Sequence, residues 1–311
     1  MRHARYAIFV VCFFTFAISA QKEPAFYHDD PETRLTEYEK LDNPNLSGGA
    51  DAAALNDQGI KLSLNKRYPE AIGLFRSVVG YEPLSAEAHY NLGITLAMAE
   101  KYAEAAECLE HSVSLKPRYF KARYSLGQTY YKLKNYEKSA ASFKSAGEID
   151  PRDYVAFNDL AAALFNAHDL PASLTAADSA LKLKPNFANA LSNRGSILHA
   201  LGRTKEAVAE YERAISVKPD FAEAHNNLGV SFAALGKTKE AHKHFVEAVR
   251  LRPGMPGAVF NLAISYLNRG KRVEARKTQE LLKAIDAELA VKFEAEYVKG
   301  YVIDASSAPK N

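Results

Sequence analysis

Pro83, Pro117, Pro151, Pro185, Pro219 and Pro253 stand at equal intervals of 34 residues. No other feature constrains the fold so tightly. A fixed period of this length marks a chain built from copies of one supersecondary unit, which must stack because a single copy cannot bury its apolar face alone. Other residues keep the same clock. Ala54, Ala88, Ala122, Ala156, Ala190, Ala224 and Ala258 are all alanine, and Gly59, Gly93, Gly127, Gly195 and Gly229 are glycine, with Ala161 and Ala263 in the two remaining places. Ala71, Ala105, Ser139, Ser173, Ala207, Ala241 and Ala275 are small in every case.

Each period divides into two helical patterns. Ala224, Leu228, Phe232 and Leu235 fall at three- and four-residue spacings, which line one face of a helix. Gly236 follows, able to take the left-handed conformation that ends a helix. A second face is made by Ala241, Phe245, Ala248 and Leu251, and Pro253 then forbids continuation. Pro69 and Pro171 sit where a second helix begins, a place that tolerates proline because its N–H has no helical partner. The recurring Gly, Ala and Ser positions let the two helices approach closely. A larger side chain there overpacks the contact, at a cost of about 1–3 kcal/mol.

The period and the pattern A…NLG…L/Y/F…A…F/Y…A…P resemble the tetratricopeptide repeat. The resemblance covers residues 52–289 in seven units: 52–85, 86–119, 120–153, 154–187, 188–221, 222–255 and 256–289. It implies an all-α, right-handed superhelical solenoid of seven helix-turn-helix repeats with a C-terminal cap. The pattern is broken in places. His89, Arg123 and His225 stand where Leu55 and Phe157 supply a bulky apolar group, Gln279 replaces the Phe of Phe143 and Phe245, and Ala287 replaces the closing proline. The last helix is therefore expected to run on as a cap to about residue 298. Residues 290–311 form the cap and tail, "DASSAPKN" being a frayed end.

The N-terminus reads as a secretory signal peptide over residues 1–20. Arg2 and Arg5 precede an apolar run from Tyr6 to Ile18, and "AISA" offers small residues for cleavage after Ala20. The other reading is an uncleaved anchor, for which the run is short of the roughly 20 residues a span needs. Residues 21–51, with three prolines, two adjacent glycines and many charges, read as an extended leader or linker, with a brief helical pattern near 33–41. The localisation implied is exported: periplasmic or envelope-associated, with secretion as the alternative. Cys12 leaves with the signal, so Cys108 stands alone and no internal disulfide or zinc site can form. The formal charge of +3 gives no electrostatic reason to expect nucleic acid or an anionic membrane surface as partner.

An enzyme needs an irregular cluster of reactive groups, and none is legible. There is no GxSxG, HExxH, P-loop or dinucleotide fingerprint. His89 and His225 occupy equivalent places four units apart, and His242 and His244, two residues apart, point to different sides of a helix. The expectation is a non-enzymatic chain with no cofactor and no metal.

A binding role fares better. In the family, first helices line a concave groove, and the residue two before each glycine faces it. Those residues are Asp57, Asn91, Ser125, Asp159, Asn193, Asn227 and Asn261. Side-chain amides can pair with the N–H and C=O of an extended peptide without reading its sequence. The competing reading is that they solvate the face or bond to their own helix. The family's other mode, a clamp on a terminal carboxylate, calls for a lysine one place before; those places hold Asn56, Tyr90, Tyr124, Asn158, Ser192, Asn226 and Phe260. Asn158 and Asn226 join the candidate binding residues, as do Tyr90, Tyr124, Gln128, Tyr131, Phe165 and His199, an aromatic and polar floor. The tyrosines have a structural alternative, packing against the next unit. The stretch "KPRYFKARYSLGQTYYKLKNYEK" is locally basic and aromatic, fit for an acidic partner or a polysaccharide, or simply a solvated face. The function implied is a scaffold that binds a partner protein or extended peptide in the groove, in a bacterial cell envelope. The alternatives are a carbohydrate or cell-wall adaptor and a regulatory subunit of an envelope enzyme.

Overall fold

A computed structural model of the chain describes residues 41–42 and 49–295. Among these residues there is no strand. Fourteen helices follow one another: α1 Gly49–Leu64, α2 Tyr68–Tyr81, α3 Ala86–Met98, α4 Tyr102–Leu115, α5 Phe120–Lys132, α6 Tyr136–Ile149, α7 Tyr154–Asn166, α8 Leu170–Leu183, α9 Ala188–Ala200, α10 Thr204–Val217, α11 Ala222–Ala234, α12 Thr238–Leu251, α13 Pro256–Asn268 and α14 Arg272–Ile285. A fifteenth, α15, runs through 287–295. The chain forms two compact units that divide between Pro185 and Asn186. The N-terminal unit holds α1–α8 and the C-terminal unit α9–α15. The signal pattern at 1–20, most of the leader and the tail from 296 lie outside the described residues.

The 34-residue period is a count of helix and turn. A first helix of 13 residues (α3) and a three-residue turn lead to a second helix of 14 (α4), and four residues then link to α5. Every turn within a pair uses the same hydrogen bonds. After α5, Lys134 N–H donates to the Tyr131 carbonyl and Asn135 N–H to the Tyr130 carbonyl, both at 2.9 Å. This is the Schellman closure, which satisfies carbonyls left free at the helix end and requires one left-handed residue. That residue recurs as Lys66, Glu100, Lys134, His168, Gly202, Gly236 and Gly270, with φ between 59° and 77°.

The link from each pair to the next is set by proline. Lys116 N–H still bonds to the Ser112 carbonyl at the end of α4, and Pro117 then makes another helical turn impossible. First helices restart with side-chain caps where the sequence offers them. Ser85 Oγ accepts from Ala88 N–H, and the Asp153 carboxylate accepts from Val155 and Ala156 N–H.

The recurring glycines have a measurable reason. A Cβ added to Gly59 would stand 2.9 Å from the Phe75 ring, one at Gly93 2.8 Å from Leu109, one at Gly127 2.8 Å from Phe143, one at Gly195 2.8 Å from Tyr211 and one at Gly229 2.7 Å from Phe245. The bulky partner is always 16 residues on, in the second helix. Where Ala161 replaces glycine, the residue 16 on is only Ala177, fully buried. The serines of the second helix fit the same close contact. Ser139 Oγ donates to the Gly127 carbonyl at 2.8 Å and Ser173 Oγ to the Ala161 carbonyl at 2.7 Å, so each buried hydroxyl is paired.

The chain's end corrects one expectation. The last helix does not run on past Ala287. α14 stops at Ile285, Asp286 adopts an extended conformation (ψ 97°), and its Oδ1 accepts from Leu289 N–H at 2.9 Å to start α15. A capping aspartate does here what proline does elsewhere. α15 buries Leu289, Ala290 and Phe293 against Val259, Phe260 and Leu282, and leaves Val291 exposed on its outer side.

Candidate peptide-binding face

The first helices of the N-terminal unit carry Asn56, Asp57, Tyr90, Asn91, Tyr124, Ser125, Asn158 and Asp159 in adjacent rows. Asp57 is exposed, whereas Asn91, Ser125 and Asp159 are buried, as are Tyr90, Tyr124 and Asn158. Burial of amides and carboxylates demands partners, and those partners follow a rule. Each bond joins a residue of one first helix to the one 35 positions on in the next. Asn91 Nδ2 donates to Asn56 Oδ1 at 3.0 Å, and the Tyr124 hydroxyl donates to Asp159 Oδ2. Asn158 Nδ2 adds a bond to Asp159 Oδ1 at 3.2 Å.

Asn91 does more. Its Oδ1 accepts the backbone N–H of Asp42 at 2.8 Å, while its Nδ2 donates to the Asp42 carbonyl at 2.7 Å. One amide therefore pairs with both backbone polar groups of a single residue that lies outside every helix. The Asp42 carboxylate is held as well: the Tyr119 hydroxyl donates to Oδ2 and Lys121 Nζ to Oδ1. Burial first, and the bond to Asp42 second, push the Tyr119 hydroxyl well above the usual phenol range, so it stays a donor. Leu41, the residue before, packs on the apolar clusters around Tyr90 and Ile94 and around Leu92 and Leu96.

Further along this unit, Tyr131 stacks edge-on with Tyr136 (5.4 Å between ring centres) and its hydroxyl accepts from Asn166 Nδ2 at 2.9 Å. Gln128, Tyr131 and Phe165 are half-buried. Ser125 Oγ is buried without a hydrogen-bond partner.

In the C-terminal unit the same rule holds. Asn261 Nδ2 donates to Asn226 Oδ1 at 2.9 Å, again across 35 residues. Asn226 Nδ2 bonds Asn227 Oδ1 at 3.2 Å, and Asn227 Nδ2 reaches Ser196 Oγ at 3.5 Å. His199 Nδ1 meets Ser231 Oγ at 3.1 Å, and burial lowers its pKa. Asn193, Asn226 and Asn261 are buried, and Asn227 and His199 half-buried.

The three polar residues in the bulky place share one role. His89 Nε2 lies 3.0 Å from the Pro83 carbonyl, Arg123 Nε 3.2 Å from that of Pro117 and His225 Nε2 3.2 Å from that of Pro219. Each pairs with the carbonyl of the proline six residues before it. His225 also meets His244, Nδ1 to Nδ1, at 3.1 Å. No group of three or more His, Cys, Asp or Glu able to hold a metal occurs among the described residues. The Cys108 thiol is pushed up to about 11, chiefly by burial, which leaves it unreactive near neutrality.

Sequence reasoning passed over Leu41, Asp42, Tyr119 and Lys121. The signal for the last two was present: both lie in the basic, aromatic stretch from Lys116. A search for a lysine one place before Ser125 overlooks Lys121, a full helical turn earlier on the same face.

Helices paired by short turns at a 34-residue period, first helix packing on first helix, define an all-α helical-repeat protein. The chain carries tetratricopeptide repeats. Profiles described as "TPR repeat" and "Tetratricopeptide repeat" match residues 195–236 and 222–255, and one described as "Anaphase-promoting complex, cyclosome, subunit 3" matches 64–146. Among solved structures it is similar to the APC/C hetero-tetramer Cut9–Hcn1, at 13% identity and TM-score 0.60, over 86% of this chain and 59% of that one. It is also similar to PilW, a widely conserved type IV pilus biogenesis factor, at 20% identity and TM-score 0.57, over 64% of this chain and 92% of that one. The pilF protein of Pseudomonas aeruginosa matches at 16% identity and TM-score 0.55, over 68% and 96%. No curated protein is a significant match. Among the described residues, no helix is long and apolar enough to cross a membrane.

Proposed function

We propose that the chain is a non-enzymatic scaffold that binds a partner protein, or an extended segment of one, on the face of its first helices. One observation carries the reading: Asn91 pairs with both the N–H and the C=O of Asp42, a residue outside every helix. That pairing supports a face that recognises a peptide segment through its backbone. Its extent is taken as the seven units of residues 52–289, with Asp57, Gln128, Tyr131, Phe165, His199 and Asn227, which retain exposed surface, as further contacts.

The setting proposed is a bacterial cell envelope, in assembly or secretion. It is supported by the export pattern at residues 1–20 and by the fold shared with PilW and pilF, and at this distance it rests on analogy. Cross-linking and pull-down from native envelopes test the scaffold, with Asn91→Ala and Asn227→Ala chains checked for retained helicity. Loss of one defined partner from the variants is the expected result, and unchanged recovery by folded variants defeats it. N-terminal sequencing of the mature protein tests export, for which a retained Met1 is the adverse outcome.

A further inference from the structure

The leader does more than connect. We infer that Leu41–Asp42 is a built-in occupant of the N-terminal unit's peptide-binding face, and that this face takes partner segments carrying an apolar residue followed by an acidic one, which bind by displacing it. The inference rests on the scaffold reading above and specifies the ligand and its competitor.

Three separate contacts converge on these two residues, one for each chemical feature of a short peptide. The backbone of Asp42 is paired on both sides by Asn91, whose orientation is itself set by the bond to Asn56. The carboxylate is held by a hydroxyl and an ammonium, Tyr119 and Lys121, from the start of α5. The Leu41 side chain lies against apolar clusters built from α2, α3, α4 and α5. The contacts of Asp42 span 49, 77 and 79 residues of sequence, so the occupant is brought in by tertiary structure and not by local chain geometry. Asp42 belongs to no helix, and no repeat position requires it. A hydroxyl and an ammonium around one carboxylate discriminate against amides, because a carboxamide presents its own donors to Tyr119 or Lys121. An aspartate is therefore preferred to asparagine at this place.

Asp42 belongs to the same chain as the face it occupies, so its contact is intramolecular and competes with a free peptide at an advantage. A weak contact made in this way still shuts out partners of modest affinity, and a face occupied nine-tenths of the time weakens a competitor about tenfold.

The test uses the full chain and a peptide of residues 40–45, KLDNPN, acetylated and amidated so that Asp42 supplies its one carboxylate. Binding is read by NMR titration against the wild-type chain and against a Leu41→Ala/Asp42→Ala chain, in which the occupant is weakened without touching any helix. The double variant is expected to bind the peptide about tenfold more tightly. The gain should disappear with the Asp42→Asn peptide, or when Lys121→Ala is added to the chain. Amide exchange gives a second readout: the Asp42 N–H should exchange slowly in the wild type and rapidly once Asn91 is changed to Ala. Equal affinity for the two chains, absence of binding to both, or a fast Asp42 amide in the wild type each overturn the inference. The scaffold reading fails separately, when envelope partners are recovered undiminished by the folded Asn91→Ala chain.

Discussion

Gly229 shows how one atom sets the spacing of a helical pair. A Cβ there would meet the Phe245 ring at 2.7 Å and the Ala241 carbonyl at 3.1 Å, and the carbonyl belongs to backbone that cannot swing aside. Gly229→Ala is therefore expected to lower stability by about 1–3 kcal/mol, measured by urea unfolding; an unchanged midpoint would contradict the close-approach account. Histidines supply a second expectation at this scale. His89, His199, His242 and His244 all have pKa values lowered chiefly by burial. The unfolded chain then takes up protons before the folded one does. Stability is full above about pH 6.5, the unfolded histidine value, and is lost as pH falls from there toward the lower folded values. Melting should occur at lower temperature at pH 5.5 than at pH 7.5, and His199→Gln should make the difference smaller. His225, for all its suggestive asparagine neighbours, proves to be a partner for the Pro219 carbonyl and for His244.

The helical pair is specified by its turn. Seven residues take the left-handed conformation at 34-residue intervals, and only three of them are glycine. Each non-glycine pays for this conformation roughly 1–2 kcal/mol. Gly236→Ala should consequently destabilise by about 1–2 kcal/mol. Lys134→Gly should gain less than about 1 kcal/mol, since the relief is offset by the extra freedom of glycine in the unfolded chain. Thermal melts of both variants, with opposite signs, are the check; a destabilising Lys134→Gly would mean that the lysine side chain matters more than its φ. The pairing pattern was largely legible at this scale. Pro69 and Pro171 do fall in the first turn of α2 and α8, and Gly236 does have φ +74°. The end of α14 was not legible, because Asp286 acts as a cap only through the bond it makes to Leu289.

Across the whole molecule, stability should behave as a sum of hairpins and their neighbouring interfaces. Gly93 meets Leu109 within the N-terminal unit and Gly229 meets Phe245 within the C-terminal unit, with no partner in common. Gly93→Ala and Gly229→Ala should add to within about 0.5 kcal/mol in the double variant. A larger coupling energy would show that the units do not respond independently.

The sequence by itself determined the period, the two helices of each unit, the proline stops, and the small residues that let the two helices approach closely. These are local or nearly local facts: a turn needs a left-handed residue, and a small side chain admits the second helix of the same hairpin. What only the tertiary structure decided is where the amides point. Spacing places Asn91, Asp159 and Asn261 on one face of their helices, but their partners lie 35 residues away, on the preceding first helix, and are reached through the stacking of whole hairpins. Nothing periodic announces that Asn91 also holds Asp42, because the leader lies outside the repeat and its contacts depend on Asn91, Tyr119 and Lys121 being assembled from α3, the end of the link after α4, and α5. A repeat states its own geometry over and over; a single segment laid across it is stated once, in three dimensions.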